Sequence, residues 1–139
     1  MSRRVYVDTS AYLCVLLGED GHLDVAKELA GARRHSSVLL VLEARRNLIR
    51  LARIGKLTSK RMHELLDRVR ADSELFALQD VTLGLCLDPA LPAVQTPRSL
   101  DLAHLRSALW FHRREPLHAF VTRDEAQRQA ARELGLPTV

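Results

Sequence analysis

The chain is expected to fold as an α/β domain around a parallel sheet, on three observations. Val5-Tyr6-Val7 and Ala119-Phe120-Val121 are short apolar runs of strand formers, the pattern of strands buried on both faces. Between and after them lie stretches of helical periodicity closed by Gly18, Gly31, Gly55 and Gly135. Strands and helices also alternate along the chain, which implies a parallel sheet covered on both sides. With 139 residues, 47% of them hydrophobic, residues 1–139 suffice for one domain with its own core.

Taken in order, the first strand runs into Asp8, and so places an acid at a strand's carboxyl end, where open α/β sheets bind ligands. Thr9 or Ser10 is expected to cap a short helix over 11–17. A second helix covers 21–30, with Leu23, Ala26 and Ala30, and Val25 and Leu29, at helical spacing. His35 to Val38 offers a short strand or turn, and either Ser36 or Ser37 can cap a helix over 38–54. Its first turns (Leu39, Leu40, Val41, Leu42, Ala44) are apolar nearly all round, so its N-terminal half is expected to be buried. Thr58 caps a helix over 59–71, amphipathic through Met62, Leu65, Leu66 and Val69. Leu75 to Leu78 reads as a strand and 81–87 as a short helix. The stretch 88–97 holds three of the five prolines and reads as a loop. Ser99 is expected to cap a helix over 100–113 with Leu102, Leu105 and Leu109 on one face. After a strand at 118–122, Asp124 caps the last helix, and Gln127 completes a capping box. Pro137-Thr138-Val139 offers a final short strand.

The net charge is +4 and the sequence pI about 9.6. Only Lys27, Lys56 and Lys60 are lysines, so 18 of the 21 basic residues are arginine. A guanidinium is a planar, bidentate fork for phosphate, which makes a polyanionic partner reasonable. A GC-rich coding sequence would produce the same bias. Arg45, Arg46, Arg50 and Arg53 crowd one helix and are candidates for RNA phosphates, with a plainly solvated face as the alternative. No apolar run approaches the ~20 residues that span a bilayer. The N-terminus enters a strand at once and lacks a signal peptide's apolar region, so a cytoplasmic location and no membrane association are expected. Cys14 and Cys86 stand in apolar surroundings without a Cys-x-x-Cys or Cys/His grouping, and read as reduced core residues rather than zinc ligands.

Four acids stand out. Asp8 and Asp124 follow strands, Asp101 lies in the first turn of its helix, and Glu43 is set in Leu40-Val41-Leu42-Glu43-Ala44. Capping explains Asp101 and Asp124 individually as well as catalysis does. Glu43 is harder to explain, because a carboxylate is rarely buried unpaired. An ion pair with Arg46 or Arg50 is its structural alternative. If the four converge, they repel one another and call for a counter-charge. A histidine-free, all-oxygen set suits Mg²⁺ or Mn²⁺ rather than zinc. Such a site activates water against a phosphodiester.

The segments Val5-Tyr-Val-Asp8-Thr-Ser-Ala-Tyr-Leu13, Leu39-Leu-Val-Leu-Glu43-Ala-Arg-Arg46, Arg98-Ser-Leu-Asp101-Leu-Ala-His-Leu-Arg-Ser-Ala-Leu109 and Phe120-Val-Thr-Arg-Asp124-Glu125 carry a resemblance in order and spacing. Together with the closing Ala131-Arg-Glu-Leu-Gly-Leu-Pro137, the chain resembles a PIN domain of the small VapC type, the ribonuclease toxin of a toxin–antitoxin pair. The resemblance implies a three-layer α/β/α sandwich around a short parallel sheet of about 4–5 strands. It implies that Asp8, Glu43, Asp101 and Asp124 form an acidic quartet. Asp8, Asp101 and Asp124 would hold Mg²⁺ or Mn²⁺, and Glu43 would be a further ligand or would position the attacking water. Thr122 matches a supporting hydroxyl, and Ser10 a position that is often polar. A VapB-type antitoxin and a homodimer are implied by the resemblance alone. Gln127 departs from the pattern where some relatives carry another Asp or Asn, which leaves one-metal and two-metal sites both open. Leu102 and Arg106 also depart from it. An RNA-processing PIN nuclease outside a toxin pair and a catalytically silent PIN-like binding module stay as alternatives. His104, one turn past Asp101, reads as packing. A phospho-acceptor receiver domain is excluded by the missing acidic pair and late lysine, and a haloacid-dehalogenase-type phosphatase by Ser10 in place of the second Asp.

Overall fold

A computed structural model describes residues 2–92, 94 and 98–139. Four strands and seven helices occur among these residues: β1 (Arg4–Val7), α1 (Thr9–Leu17), α2 (His22–Leu29), β2 (Arg33–Ser37), α3 (Leu39–Arg53), α4 (Ser59–Leu75), β3 (Ala77–Gln79), α5 (Leu83–Leu87), α6 (Ser99–Arg114), β4 (Ala119–Val121) and α7 (Glu125–Glu133). The sheet is wholly parallel in the order β3-β2-β1-β4, so β1 is central and β4 its neighbour. The expected final strand is reduced to a single parallel bridge between Phe120 and Thr138. Part of the expected proline-rich loop, at 93 and 95–97, lies outside the described residues.

Alternation along the buried strands divides the interior into two cores. Val5, Val7, Ala119 and Val121 face one way and pack with Tyr12 of α1, Val25 and Leu29 of α2, Leu40, Ala44 and Leu48 of α3, and Leu65 and Val69 of α4. Tyr6 and Phe120 face the other way and pack with Leu85, Leu105, Ala108, Phe111, Ala130 and Ala131 from α5, α6 and α7. The Tyr6 and Phe120 rings are register partners on adjacent strands and stack with centroids 5.3 Å apart. Helices thus cover both faces of the sheet, the arrangement of an α/β sandwich. No helix of the described residues is long and apolar enough to cross a membrane.

Several local expectations change. Asp8, not Thr9 or Ser10, caps α1: its carboxylate accepts from the Ala11 N–H, and Thr9 becomes the first helical residue. Arg98 stands at the N-cap of α6 without a side-chain bond, and Ser99 is inside the helix. Leu75 ends α4 instead of opening a strand. On α3, Leu40 and Ala44 are buried, but Leu42 is 66% exposed, so the N-terminal half is buried along one stripe only. Cys14 is buried as expected, whereas Cys86 is exposed. The capping box at α7 is half formed: the Asp124 carboxylate accepts from the Gln127 N–H, while the Gln127 amide reaches across to α6.

Candidate active site

Because β1 and β4 are parallel neighbours, Asp8 and Asp124 leave the same end of the sheet. The Asp8 N–H extends the pairing by donating to the Val121 carbonyl (3.1 Å). Asp8 itself is nearly inaccessible, and three donors meet its carboxylate. Oδ1 accepts from the Ser10 hydroxyl (2.7 Å) and the Ala11 N–H (3.1 Å), and Oδ2 accepts from the Thr122 hydroxyl. Thr122 also accepts the Asp124 N–H (3.1 Å), so one buried hydroxyl joins the two acids. Ser10 accepts the Arg123 N–H (2.9 Å) and ties α1 to the end of β4. Both supporting hydroxyls expected from the sequence therefore contact Asp8.

Asp101 enters through α7. The Gln127 backbone N–H that Asp124 caps belongs to the same residue whose side-chain Nε2 donates to the Asp101 carbonyl (2.9 Å). The Asp101 carboxylate itself takes no hydrogen bond among the described residues. Glu43 enters from α3. Its Oε1 accepts from the Thr9 hydroxyl (2.8 Å) and from His104 Nε2 (2.8 Å), and its Oε2 takes no protein hydrogen bond among the described residues. Glu43 is thus paired with His104, not with Arg46 or Arg50, and His104 is a polar node instead of packing. A His one turn beyond Asp101 was the signal for it, but a hydrogen bond across to α3 leaves no mark in local sequence.

The electrostatics follow from this layout. Burial raises the Asp8 carboxyl above its ordinary value, against the opposing pull of Thr122, Ser10 and the Ala11 N–H. Asp101 is raised by burial and by the negative charges of Asp124 and Glu43, opposed by Arg98 and His104. Glu43 is driven upward by burial, yet the bonds from His104 and Thr9 and the imidazole's charge outweigh it and leave it lowered. Two raised acids and one held ionised make an edge where added positive charge is stabilised.

The chemistry of the donors suits a hard divalent cation. A carboxylate has roughly four lone-pair positions. Asp8 uses three of them, Asp124 Oδ2 and Glu43 Oε2 are free of the bonds that engage their partner oxygens, and Asp101 is wholly unengaged. The spacing is looser than the chemistry: among the described residues, no three His, Cys, Asp or Glu side chains stand close enough together to hold a metal ion. Asp8, Asp124 and Asp101 are linked through Thr122 and Gln127, Glu43 is held in a separate set with Thr9 and His104, and the four do not form a closed cage among the described residues.

Arg45, Arg46, Arg50 and Arg53 are exposed on α3. Arg46, Arg50 and Arg53 follow Glu43 by three, seven and ten residues and so lie along its side of the helix, whereas Arg45 is turned away from that row. A cavity of about 460 Å³ lies elsewhere, between α1, α2 and α4, with Tyr12, Leu16, Leu29, Arg34, Leu65 and Phe76 in its walls.

No family model matches the chain, and no curated protein matches it. Among solved structures, the chain is similar to a domain of a functionally unknown protein from Methanocaldococcus jannaschii DSM 2661. The TM-score is 0.53 over 99% of this chain and 90% of that one, with 18% sequence identity. At that identity the likeness is one of fold.

Proposed function

We propose that this chain is a PIN-type, metal-dependent endoribonuclease of the VapC kind. The observation that carries the reading is the convergence of the four acids: hydrogen bonds through Thr122 and Gln127 link Asp8, Asp124 and Asp101, and Glu43 is bonded to Thr9, the chain neighbour of Asp8, and to His104, one turn from Asp101. Asp8, Asp101 and Asp124 are the residues to hold Mg²⁺ or Mn²⁺. A cation bound there supplies charge to offset the clustered carboxylates, acidifies water and stabilises the oxygen that leaves phosphorus. The chain's own contribution is placement. Thr122 and Ser10 fix Asp8, the Gln127 amide fixes the start of α6 against α7, and Glu43, kept ionised, orients a water proton. Water adds to phosphorus as a P–O ester bond breaks. Arg46, Arg50 and Arg53 extend from the acids along α3 and suit the phosphates of a bound RNA strand. A VapB-type antitoxin and a homodimer complete the proposal.

The direct test is cleavage of a structured RNA by purified protein in Mg²⁺ or Mn²⁺, abolished by EDTA. Asp101→Asn is the clean variant, because no hydrogen bond among the described residues depends on that carboxylate. It is expected to lower cleavage by about two orders of magnitude or more. Undiminished cleavage by Asp101→Asn overturns the assignment. A second reading, a catalytically silent PIN-like module that binds RNA or protein, is favoured by the open spacing of the acids. Mn²⁺ separates the two, since a ligand bound to the native state raises Tm by mass action. The nuclease reading expects a Tm rise in the parent that Asp101→Asn loses, and the silent module expects none in either.

A further inference from the structure

Tyr6, His104 and Glu43 form a line of hydrogen bonds from the centre of the sheet to the acidic edge. Tyr6 is fully buried on β1, and its hydroxyl lies 2.7 Å from His104 Nδ1. His104 on α6 is 2% exposed, and its Nε2 lies 2.8 Å from Glu43 Oε1 on α3. The acceptors dictate the protons. An ionised carboxylate only accepts, so Nε2 carries the hydrogen and gives it to Glu43. With the hydrogen on Nε2, the relay assigns Nδ1 as the ring's acceptor for the Tyr6 O–H, 2.7 Å away. Thr9 donates to the same Glu43 oxygen from the opposite element, α1. All the bonds to Glu43 thus fall on one oxygen, and the other faces no protein donor among the described residues.

We infer that His104 is a positioning residue that locks Glu43 in one orientation through the Tyr6–His104–Glu43 relay. The inference rests on the nuclease reading for its link to catalysis. Geometry gives the relay a further effect. His104 lies one turn beyond Asp101 on the same helix, so the bond that anchors Glu43 also sets the distance between Glu43 and Asp101. A side chain held only by Thr9 would be repelled outward by Asp101, whose charge acts on it across the cleft. Because the relay ends in the core on Tyr6, the orientation of Glu43 is referenced to the sheet and not to a surface loop.

The test has one arm that needs no activity and one that does. In metal-free protein, long-range ¹H–¹⁵N correlation, assigned by comparison with His104→Gln, is expected to find the His104 ring protonated on Nε2 with Nδ1 unprotonated. Tyr6→Phe, which deletes only the hydroxyl, is expected to shift the Nδ1 resonance. An Nδ1–H tautomer in the parent overturns the relay. In cleavage of a short RNA with Mn²⁺, His104→Leu is expected to lower kcat by about 10–100-fold with KM changed less than about twofold. His104→Gln, which keeps an N–H donor toward Glu43, is expected to recover most of that loss. Equal kcat in parent and His104→Leu, or no recovery in a folded His104→Gln, overturns the positioning role. If the parent cleaves no RNA with either metal, the nuclease reading fails, and the tautomer result still decides the relay.

Discussion

Replacing Asp8 by Ala and by Asn should give clearly different results for stability without metal, because the carboxylate has a folding role besides its proposed catalytic one. Asp8→Ala removes the N-cap of α1, which costs about 1 kcal/mol. It also strands the Ser10 and Thr122 hydroxyl donors, each bond being worth roughly 1 kcal/mol. These hydroxyls lie 3.2 Å apart and can turn toward each other, which returns part of the loss. The net cost is about 2 kcal/mol, or roughly 8 °C in Tm for a domain of this size. Asp8→Asn keeps an Oδ1 for Ser10 and the Ala11 N–H, and its amide can donate to Thr122 Oγ1. It also removes a buried charge whose carboxyl is held above its ordinary value by burial. Its Tm is expected within about 3 °C of the parent, or above it. Thermal unfolding followed by circular dichroism in EDTA at neutral pH measures both. Equal Tm values for the two variants would refute the capping and hydroxyl account of Asp8.

The carboxylates also predict opposite responses to pH. Asp8 and Asp101 have raised folded values, so the folded protein binds protons before the unfolded chain does; their strain is relieved as pH falls through those values and is gone below the ordinary carboxyl range. Glu43 has a lowered folded value, so its stabilisation is present above the ordinary range and lost as pH falls through the folded value. Urea midpoints from pH 7 downward should therefore rise less in Asp8→Asn than in the parent, and an identical pH dependence would contradict this assignment. Tyr12→Phe deletes the 2.7 Å bond from the tyrosine hydroxyl to Asp72 and should cost about 1 kcal/mol of stability while leaving RNA cleavage at the parent rate, which urea unfolding and a cleavage time course check together. Thiol titration of folded protein should count one fast group, Cys86, with buried Cys14 reacting only on unfolding; two fast thiols would show that the α1 core is open.

The sequence announced strands where side chains are apolar and concealed them where they are not. Val5-Tyr6-Val7 and Ala119-Phe120-Val121 were legible because burial on both faces demands apolar residues on both. β2, Arg33-Arg34-His35-Ser36-Ser37, is equally central, but its sequence left a short strand and a turn both open, and only from His35 on. Its polarity is absorbed by tertiary bonds: the Ser36 hydroxyl donates to the Val7 carbonyl (2.6 Å), and the His35 ring packs edge-on to Phe111 (centroids 4.8 Å apart). Helix extents were legible to within a few residues, while caps were not, since Asp8, Thr9 and Ser10 are all good capping residues and only the network around Thr122 selects Asp8. Of the candidate site, the four acids were visible from where they stand in the sequence, and the two hydroxyls, Ser10 and Thr122, only through the resemblance. The partner of Glu43 was not, because His104 lies 61 positions away and no local period links them.

Capping and catalysis were alternatives for these acids when each was taken alone, and the structure removes the opposition. Asp8 and Asp124 each cap a helix whose N-terminus therefore points its free N–H groups and positive dipole end at the acidic edge. Those dipoles supply the counter-charge that lets carboxylates gather before any cation binds. They supply it incompletely, because Asp8 and Asp101 still stay raised. Asp101 is the telling member: it sits in the first turn of α6, where a dipole ought to lower it, yet the charges of Asp124 and Glu43, together with burial, outweigh that help. Among the described residues the Asp101 carboxylate takes no hydrogen bond, and burial and its neighbours' negative charge raise it, so a bound cation would offset that charge; Asp101 rather than the better-connected Asp8 is therefore the residue on which the proposed metal site should be tested first.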